Sequence, residues 1–510
     1  MNMINWNEYP LNLLSKAQVE KAVSTSSYEI LDINARELLS PNRFDVYAKL
    51  LYIDHKVKGV DISYAMNVYK KHIDVITGYT FSEYGQPNKD SFEKYVECFN
   101  KLIDTFQKGG YDPSLSLIPV DADYVPIDGS HRVSCAVYFN QKIRVVKFVD
   151  YRRSAFSSQW FKEHHLLETI QNSISLEFCN WHSDIYMACL WPNGCKMKKQ
   201  REEALQLLEQ NFPIVSICRH DLGQNGLRNL LIQVYGFMSW TGNANNHFSG
   251  VYHKLNEIST ANNSVVDFIL FQASNLDKVL KVKDQIRDIF KIDKGAIHIT
   301  DNTNETVQIA NLIYNQNSIH HLKYACPDKF LHSYNMCMDF KSLLLNNGYD
   351  LSHYIIDSSS VMAMYGIREA GDLDYLTIET DDKKQLLHSI EQGSMECNDK
   401  FLIYHGIPVE DMVFNPQNYF VFNELRFLSL ERIKIFKRNK AEEKDLLDIR
   451  LINSFLSIND KYVYKILLLK NYYRRKKAYL INCMKKMIRT ILLKIHILDL
   501  VKRMIGRKTI

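Results

Sequence analysis

The sequence predicts a multidomain chain of mixed α/β and α+β class that ends in a basic amphipathic helical tail. Three features of the chain lead there. It has 510 residues, too many for one ordinary domain. Runs of β-branched residues alternate with stretches of helical periodicity. Between Lys461 and Ile510 stand 15 Lys or Arg and one acid, Asp499. That tail therefore carries +14, and with an overall charge of +5 the remainder carries −9. A mildly acidic body with a strongly basic end points to an anionic contact for the tail.

Residues 1–155 form the first expected unit. "SYEILDINARELL" reads as a strand and a polar turn, and "SFEKYVECFNKLIDTFQKGG" as a helix stopped by Gly109 and Gly110. "SLSLIPV", "YVPIDG", a helix from about His131 and the strand "KIRVVKFV" follow. Residues 156–211 read as a helical connector. An α/β middle unit is expected over 212–328, with "VVDFILFQ" and "AIHIT" as strands and crossover helices after them. A further unit spans 329–460, and the basic tail 461–510.

Two stretches carry chemistry. In "VPIDGSHRVSCAVYFNQ" a strand meets Gly129 and a helix begins. Such a junction gathers unpaired backbone N–H groups and attracts anions. Gly129, Ser130, His131 and Arg132 would supply donors, with Asp128 as the neighbouring acid. A capped helix, with Asp128 or Ser130 as N-cap and Arg132 solvated, is the other reading. In "DSSSVMAMYGIREAGDLDYL", Asp372 and Asp374 alternate across Leu373, so a strand would put both carboxylates on one face. Paired carboxylates suit a divalent cation, and Ser359 and Ser360 would open a helix toward phosphates. A solvent-facing strand end is the plainer alternative.

The ten cysteines show no pairing or zinc spacing, so reduced, packed thiols are expected. The first residues lack a basic and then apolar leader pattern, and no run of 18 apolar residues occurs. A cytoplasmic protein is expected. In the middle unit, His298 and Asp301 read either as pocket residues or as neighbours of a helix cap formed by Asn302 and Glu305. "RHDLGQNGLRN" could form a phosphate loop, though it matches no Walker pattern. In the tail, Ile481, Met484, Ile488, Ile491, Ile495, Leu498 and Ile505 keep helical spacing among Lys and Arg. An anionic membrane surface met through 471–510 is the favoured partner, ahead of a partner helix or nucleic acid.

"SLSLIPVDADYVPIDGSHRVSCAVYFNQKIRVVKF" resembles the core of the ParB/sulfiredoxin fold, and "YEILDINARELLSPNRFDVYAKL" resembles its first box, with a helical insertion at about 56–105 between them. Ser130 stands where sulfiredoxins carry Cys, and no Gly-Glu-Arg-Arg turn of the chromosome-partitioning members occurs. The Asp-Gly-x-His-Arg form looks most like the branch that phosphorylates free serine. That resemblance implies catalytic roles for Asp128 and His131, with Asp45 as the nearest first-box carboxylate. Residues 357–376 resemble the nucleotidyltransferase fold, with Ser359 where Gly is usual. The resemblance implies Mg²⁺ on Asp372, Asp374 and a third carboxylate, for which Asp411 is the candidate. "FKRNKAEEKDLLDIRLI" resembles the helix that follows in such proteins, although Lys444 and Asp448 also suit a surface i, i+4 ion pair.

Together these features imply Mg²⁺-dependent phosphoryl or nucleotidyl transfer from ATP or another NTP to a small metabolite or sugar. The basic end resembles those of enzymes of bacterial surface-polysaccharide assembly. A ParB-like DNA-binding protein, a toxin-type nucleotidyltransferase and a non-catalytic scaffold are the alternatives. The acidic body makes nucleic acid the weaker partner.

Overall fold

In a computed structural model the β-rich and helical signals resolve into three small sheets. The structure describes residues 5–82, 89–153, 156–260, 262–390, 395–457, 473, 476–477 and 479–492. The chain divides into two units, 1–58 with 65–174 and 460–510, and 59–64 with 175–459.

In the first unit β1 (Tyr28–Asn34), β2 (Ile118–Val120) and β3 (Lys142–Phe148) form a sheet in the order β1-β3-β2. β3 runs antiparallel to β1 and parallel to β2. Val146 and Phe148 of β3 meet Leu117 and Ile127 in a core closed by Val19 and Ala22 of the helix Lys16–Thr25. The helix Phe92–Lys108 buries Phe92, Tyr95, Phe99, Ile103 and Phe106, one face of a 3.6-residue repeat. Ser91 caps its start by accepting the Lys94 N–H, and Gly109 ends it. That helix and the helix Asp45–Lys58 both pack on the helix Ser130–Tyr138. Among the described residues between 56 and 105 lie the helices Ser63–Ile76 and Phe92–Lys108.

The second unit holds two sheets. β4 (Ile185–Leu190), β5 (Ile214–Asp221), β6 (Val265–Gln272) and β7 (Ile297–Ile299) lie in the order β5-β6-β4-β7, antiparallel throughout. The helices Lys198–Asn211 and Leu276–Phe290 make the crossovers, a split βαβ path. Leu208, Val282 and Ile286 from these helices share a core with Leu190, Ile269 and Phe271. The stretch read as a connector therefore carries β4, one of the two interior strands, whose "IYMACL" is buried at all but one position.

The second sheet has β8 (Tyr354–Ile356), β9 (Leu373–Thr377), β10 (Met395–Cys397), β11 (Tyr419–Phe422) and β12 (Leu425–Leu428), in the order β10-β9-β8-β12-β11. β9 is antiparallel to β8 and parallel to β10; β12 is parallel to β8 and antiparallel to β11. Asn423 and Glu424 join β11 to β12 with φ of 47° and 67°, the twist of a two-residue hairpin turn. The two sheets share one unit because Asn315 and Ser318 bond the backbone of β11 at Tyr419 and Val421.

Among the described residues no helix is long and apolar enough to cross a membrane. All ten cysteines are free. Of the tail's apolar positions, Ile481, Met484, Ile488 and Ile491 are described and helical. Ile495, Leu498 and Ile505 lie outside the described residues.

Candidate functional site

The carboxylates read from sequence meet where β8 ends beside β9. The Asp357 N–H donates to the Asp374 carbonyl at 2.8 Å, which sets the turn after β8 against β9. Leu373 and Tyr375 are buried while Asp372 is exposed and Asp374 half-buried, the alternation a strand imposes. Burial, then the charges of Asp357 and Asp372, raise the Asp374 carboxyl from 3.8 to about 6. Glu396 of β10, its partner in register, adds to this. Among the described residues no Lys, Arg or His nitrogen lies within ion-pair distance of Asp372 or Asp374.

Asp357 was not expected from sequence, and it anchors the turn. It is fully buried. Its Oδ1 accepts the Ser358 N–H at 2.6 Å, and its Oδ2 accepts the Asn398 amide at 3.1 Å and faces His405 Nε2 at 3.2 Å. Burial alone would raise this carboxyl; His405 and the donated hydrogen bonds outweigh it and hold it below its ordinary value. Ser358 sits at φ 55°. The hydroxyls expected to meet phosphate turn to the neighbouring strand. Ser360 donates to the Asp372 carbonyl at 3.0 Å and Ser359 to Asp372 Oδ1 at 3.5 Å.

Asp411 lies on the helix Val409–Phe414 and accepts from Asn415 and Asn418 at 3.1 and 3.0 Å. The charges that raise Asp374 come from Asp357, Asp372 and Glu396 rather than from Asp411. Asp448 does not pair with Lys444. It is buried against Arg368 in a two-point bond of 2.6 and 2.7 Å and against Lys437 at 2.8 Å, while Lys444 pairs with Glu442 at 3.2 Å. The Asp372 charge also acts on Arg368, so this buried network borders the carboxylates. Among the described residues no three His, Cys, Asp or Glu side chains converge to hold a metal unaided. Two carboxylates with no cation within ion-pair distance fit a Mg²⁺ that completes its shell from water and phosphate oxygens.

The first unit contains a cavity of about 1090 Å³ beneath the Gly129 turn. Gly129 adopts φ 82°, and a Cβ there would stand 2.7 Å from Arg132 Nη2 and 2.9 Å from Ile118 Cδ1. Only glycine satisfies both demands. Six cations line the cavity, Lys16, Arg43, Lys49, Lys89, Arg132 and Arg153, against two acids, Asp45 and Asp128. Asp45, expected as a catalytic carboxylate, is instead buried between two cations. Arg43 grips it at 2.8 and 3.0 Å and Lys49 at 2.8 Å. Burial opposes ionisation, but Arg43 and Lys49 override it and hold the carboxyl well below its ordinary range. The carboxylate is thus paired on two sides. It leaves one buried positive charge in excess, and burial lowers the Lys49 ammonium in turn. Burial and Arg43 bring the nearby Arg153 guanidinium down to about 10.

His131, expected as a donor at the turn, stands where a positive charge is disfavoured. Burial and the Lys49 and Lys89 charges push its imidazole well below its ordinary value. Its Nε2 lies 2.9 Å from the Tyr69 hydroxyl, and the Phe99 ring meets it edge-on. Arg132 divides its guanidinium between the Leu117 carbonyl at 3.1 Å and Asp128 at 3.5 Å. Ser130 lines the cavity, though its carbonyl accepts the Ser134 hydroxyl. The result is a concave, net positive surface with one accessible acid, Asp128, and a neutral imidazole. Such a surface suits a multiply charged anion.

The middle-unit candidates have partners within the chain. Asn302 caps the helix Thr303–Ile313, His298 pairs with Glu305 at 2.7 Å, and Asp301 with Lys283 at 3.2 Å. In "RHDLGQNGLRN", Arg219 binds Asp267 and Arg228 binds Asp328. No family model matches the chain, and neither a curated protein nor a solved structure matches it.

Proposed function

We propose that this chain is a Mg²⁺-dependent phosphoryl- or nucleotidyl-transfer enzyme using ATP or another NTP on a small metabolite or sugar. One observation carries the reading. Asp372 and Asp374 stand beside buried Asp357, and among the described residues neither has a cation within ion-pair distance; burial and the charges of Asp357 and Asp372 lift Asp374 to about 6. Like charges held together at a strand end are the usual complement of a divalent cation. Asp372 and Asp374 would hold Mg²⁺, which supplies neutralisation of phosphate charge when bound. Asp357, fixed by His405 and Asn398, positions the turn, and the Ser359 and Ser360 hydroxyls hold the Asp372 segment in place.

The cavity of the first unit supports the same class of chemistry independently. Its excess of buried positive charge favours a phosphate-bearing ligand, received by Arg43, Lys49 and Arg153, with Asp128 the acid nearest the turn. The surface-polymer role rests on the resemblance of the basic end alone. The test is NTP turnover with and without Mg²⁺ in wild type and Asp374→Ala. Metal-dependent turnover lost in the variant supports the reading; turnover unchanged by the substitution refutes it for the Asp372–Asp374 site.

A further inference from the structure

The helix at 479–492 docks on the first unit by the wrong side for an ordinary amphipathic helix. Asn482 Nδ2 donates to the Gly78 carbonyl at 3.0 Å, and Lys486 Nζ donates to Ser82 Oγ at 3.2 Å. The fit at Gly78 is close: a Cβ there would stand 2.7 Å from Asn482 Nδ2. At about 100° per residue, Leu480, Ile481, Met484, Met487, Ile488 and Ile491 fall within an arc of roughly 120°. Asn482 and Lys486 lie diametrically opposite. The polar side therefore holds the body and the apolar side points away from it. Exposure agrees: Met484 and Met487 are 58% exposed, and Ile488 and Ile491 49%. An apolar stripe left in water is unfavourable unless something covers it.

We propose that this stripe is a docking surface for an anionic lipid bilayer, on which the helix lies without crossing. Charge decides the occupant. Lys476 and Lys477 lead into the helix, Lys485 borders the stripe, and all three are exposed. A basic, apolar-faced helix gains both from headgroup charge and from burial of its stripe at the acyl boundary. A second copy of the chain would bring the same positive charges together and be repelled. The tail helix alone supplies these features, whether or not the transfer reading holds.

The test is co-sedimentation of the full chain with phosphatidylcholine vesicles and with vesicles containing phosphatidylglycerol. The wild type binds the anionic vesicles about tenfold or more above the neutral ones, and salt weakens binding. Met484→Glu with Ile488→Glu abolishes it, and Lys476→Glu with Lys477→Glu removes the preference for anionic lipid. These positions are exposed, so thermal unfolding should match wild type. Absence of wild-type binding at low salt overturns the proposal. So does a Glu double variant that sediments like wild type. A wild-type dimer that the same variant splits, without vesicle binding, overturns it in favour of self-association.

Discussion

Replacing Asp374 by Asn should stabilise the protein, and by an amount that depends on pH. The carboxyl is raised from 3.8 to about 6 by burial and by Asp357 and Asp372. Each pH unit between those two values is worth about 1.4 kcal/mol, so the ionised form costs the folded state ~3 kcal/mol. A carboxyl with a raised folded pKa binds its proton more tightly when folded. Its penalty is absent below about pH 4, grows between pH 4 and 6, and is complete above 6. Asp374→Asn should therefore exceed wild type in stability at pH 8 by up to ~3 kcal/mol, and the gap should close by about pH 4. Urea unfolding across this range measures it. Mg²⁺ should raise wild-type stability at pH 8 and leave the Asn variant unmoved, because a cation that binds only the folded site adds stability by mass action. A variant less stable than wild type at pH 8, or a gap constant with pH, would refute the idea that unneutralised repulsion is stored here.

The other predictions concern the supports of both sites. Asp45→Asn strands Arg43 and Lys49 as buried, uncompensated cations; unfolding should show a loss of ~3–5 kcal/mol, whereas a catalytic base would lose activity with stability intact. Gly129→Ala forces a Cβ against Arg132 and Ile118 at a left-handed φ; it should cost ~1–3 kcal/mol and weaken retention of inorganic phosphate in a competition assay. Asp448→Asn removes one partner from Arg368 and from buried Lys437, and thermal unfolding should fall by an amount equivalent to ~3–5 kcal/mol.

What was legible in the sequence was local. The alternation of Asp372, Leu373 and Asp374 shows through strand periodicity, and the glycine turn before Ser130 shows because only glycine fits its backbone. Asn302 as a helix cap was legible because a cap needs only its own side chain and the next turn of backbone. The rest depends on distant pairing. Arg43, Asp45 and Lys49 stand close in sequence, but nothing local says that they are buried beside Arg153. Asp448 prefers Arg368, 80 residues away, to Lys444 one turn away, because tertiary burial makes a two-point guanidinium bond stronger than a solvated helical pair. Strand order in the sheet of β4 to β7 likewise follows from packing that periodicity does not encode.

Metal-dependent nucleotide binding at Asp372 and Asp374 meets its sharpest test in a thermal-shift panel of ATP, ADP, CTP, GTP and UTP. Each is measured with and without Mg²⁺, on wild type, Asp128→Ala and Asp374→Ala. The expected result is a Mg²⁺-dependent nucleotide shift that disappears in Asp374→Ala. No shift with any nucleotide, or a shift that survives in Asp374→Ala, would contradict it.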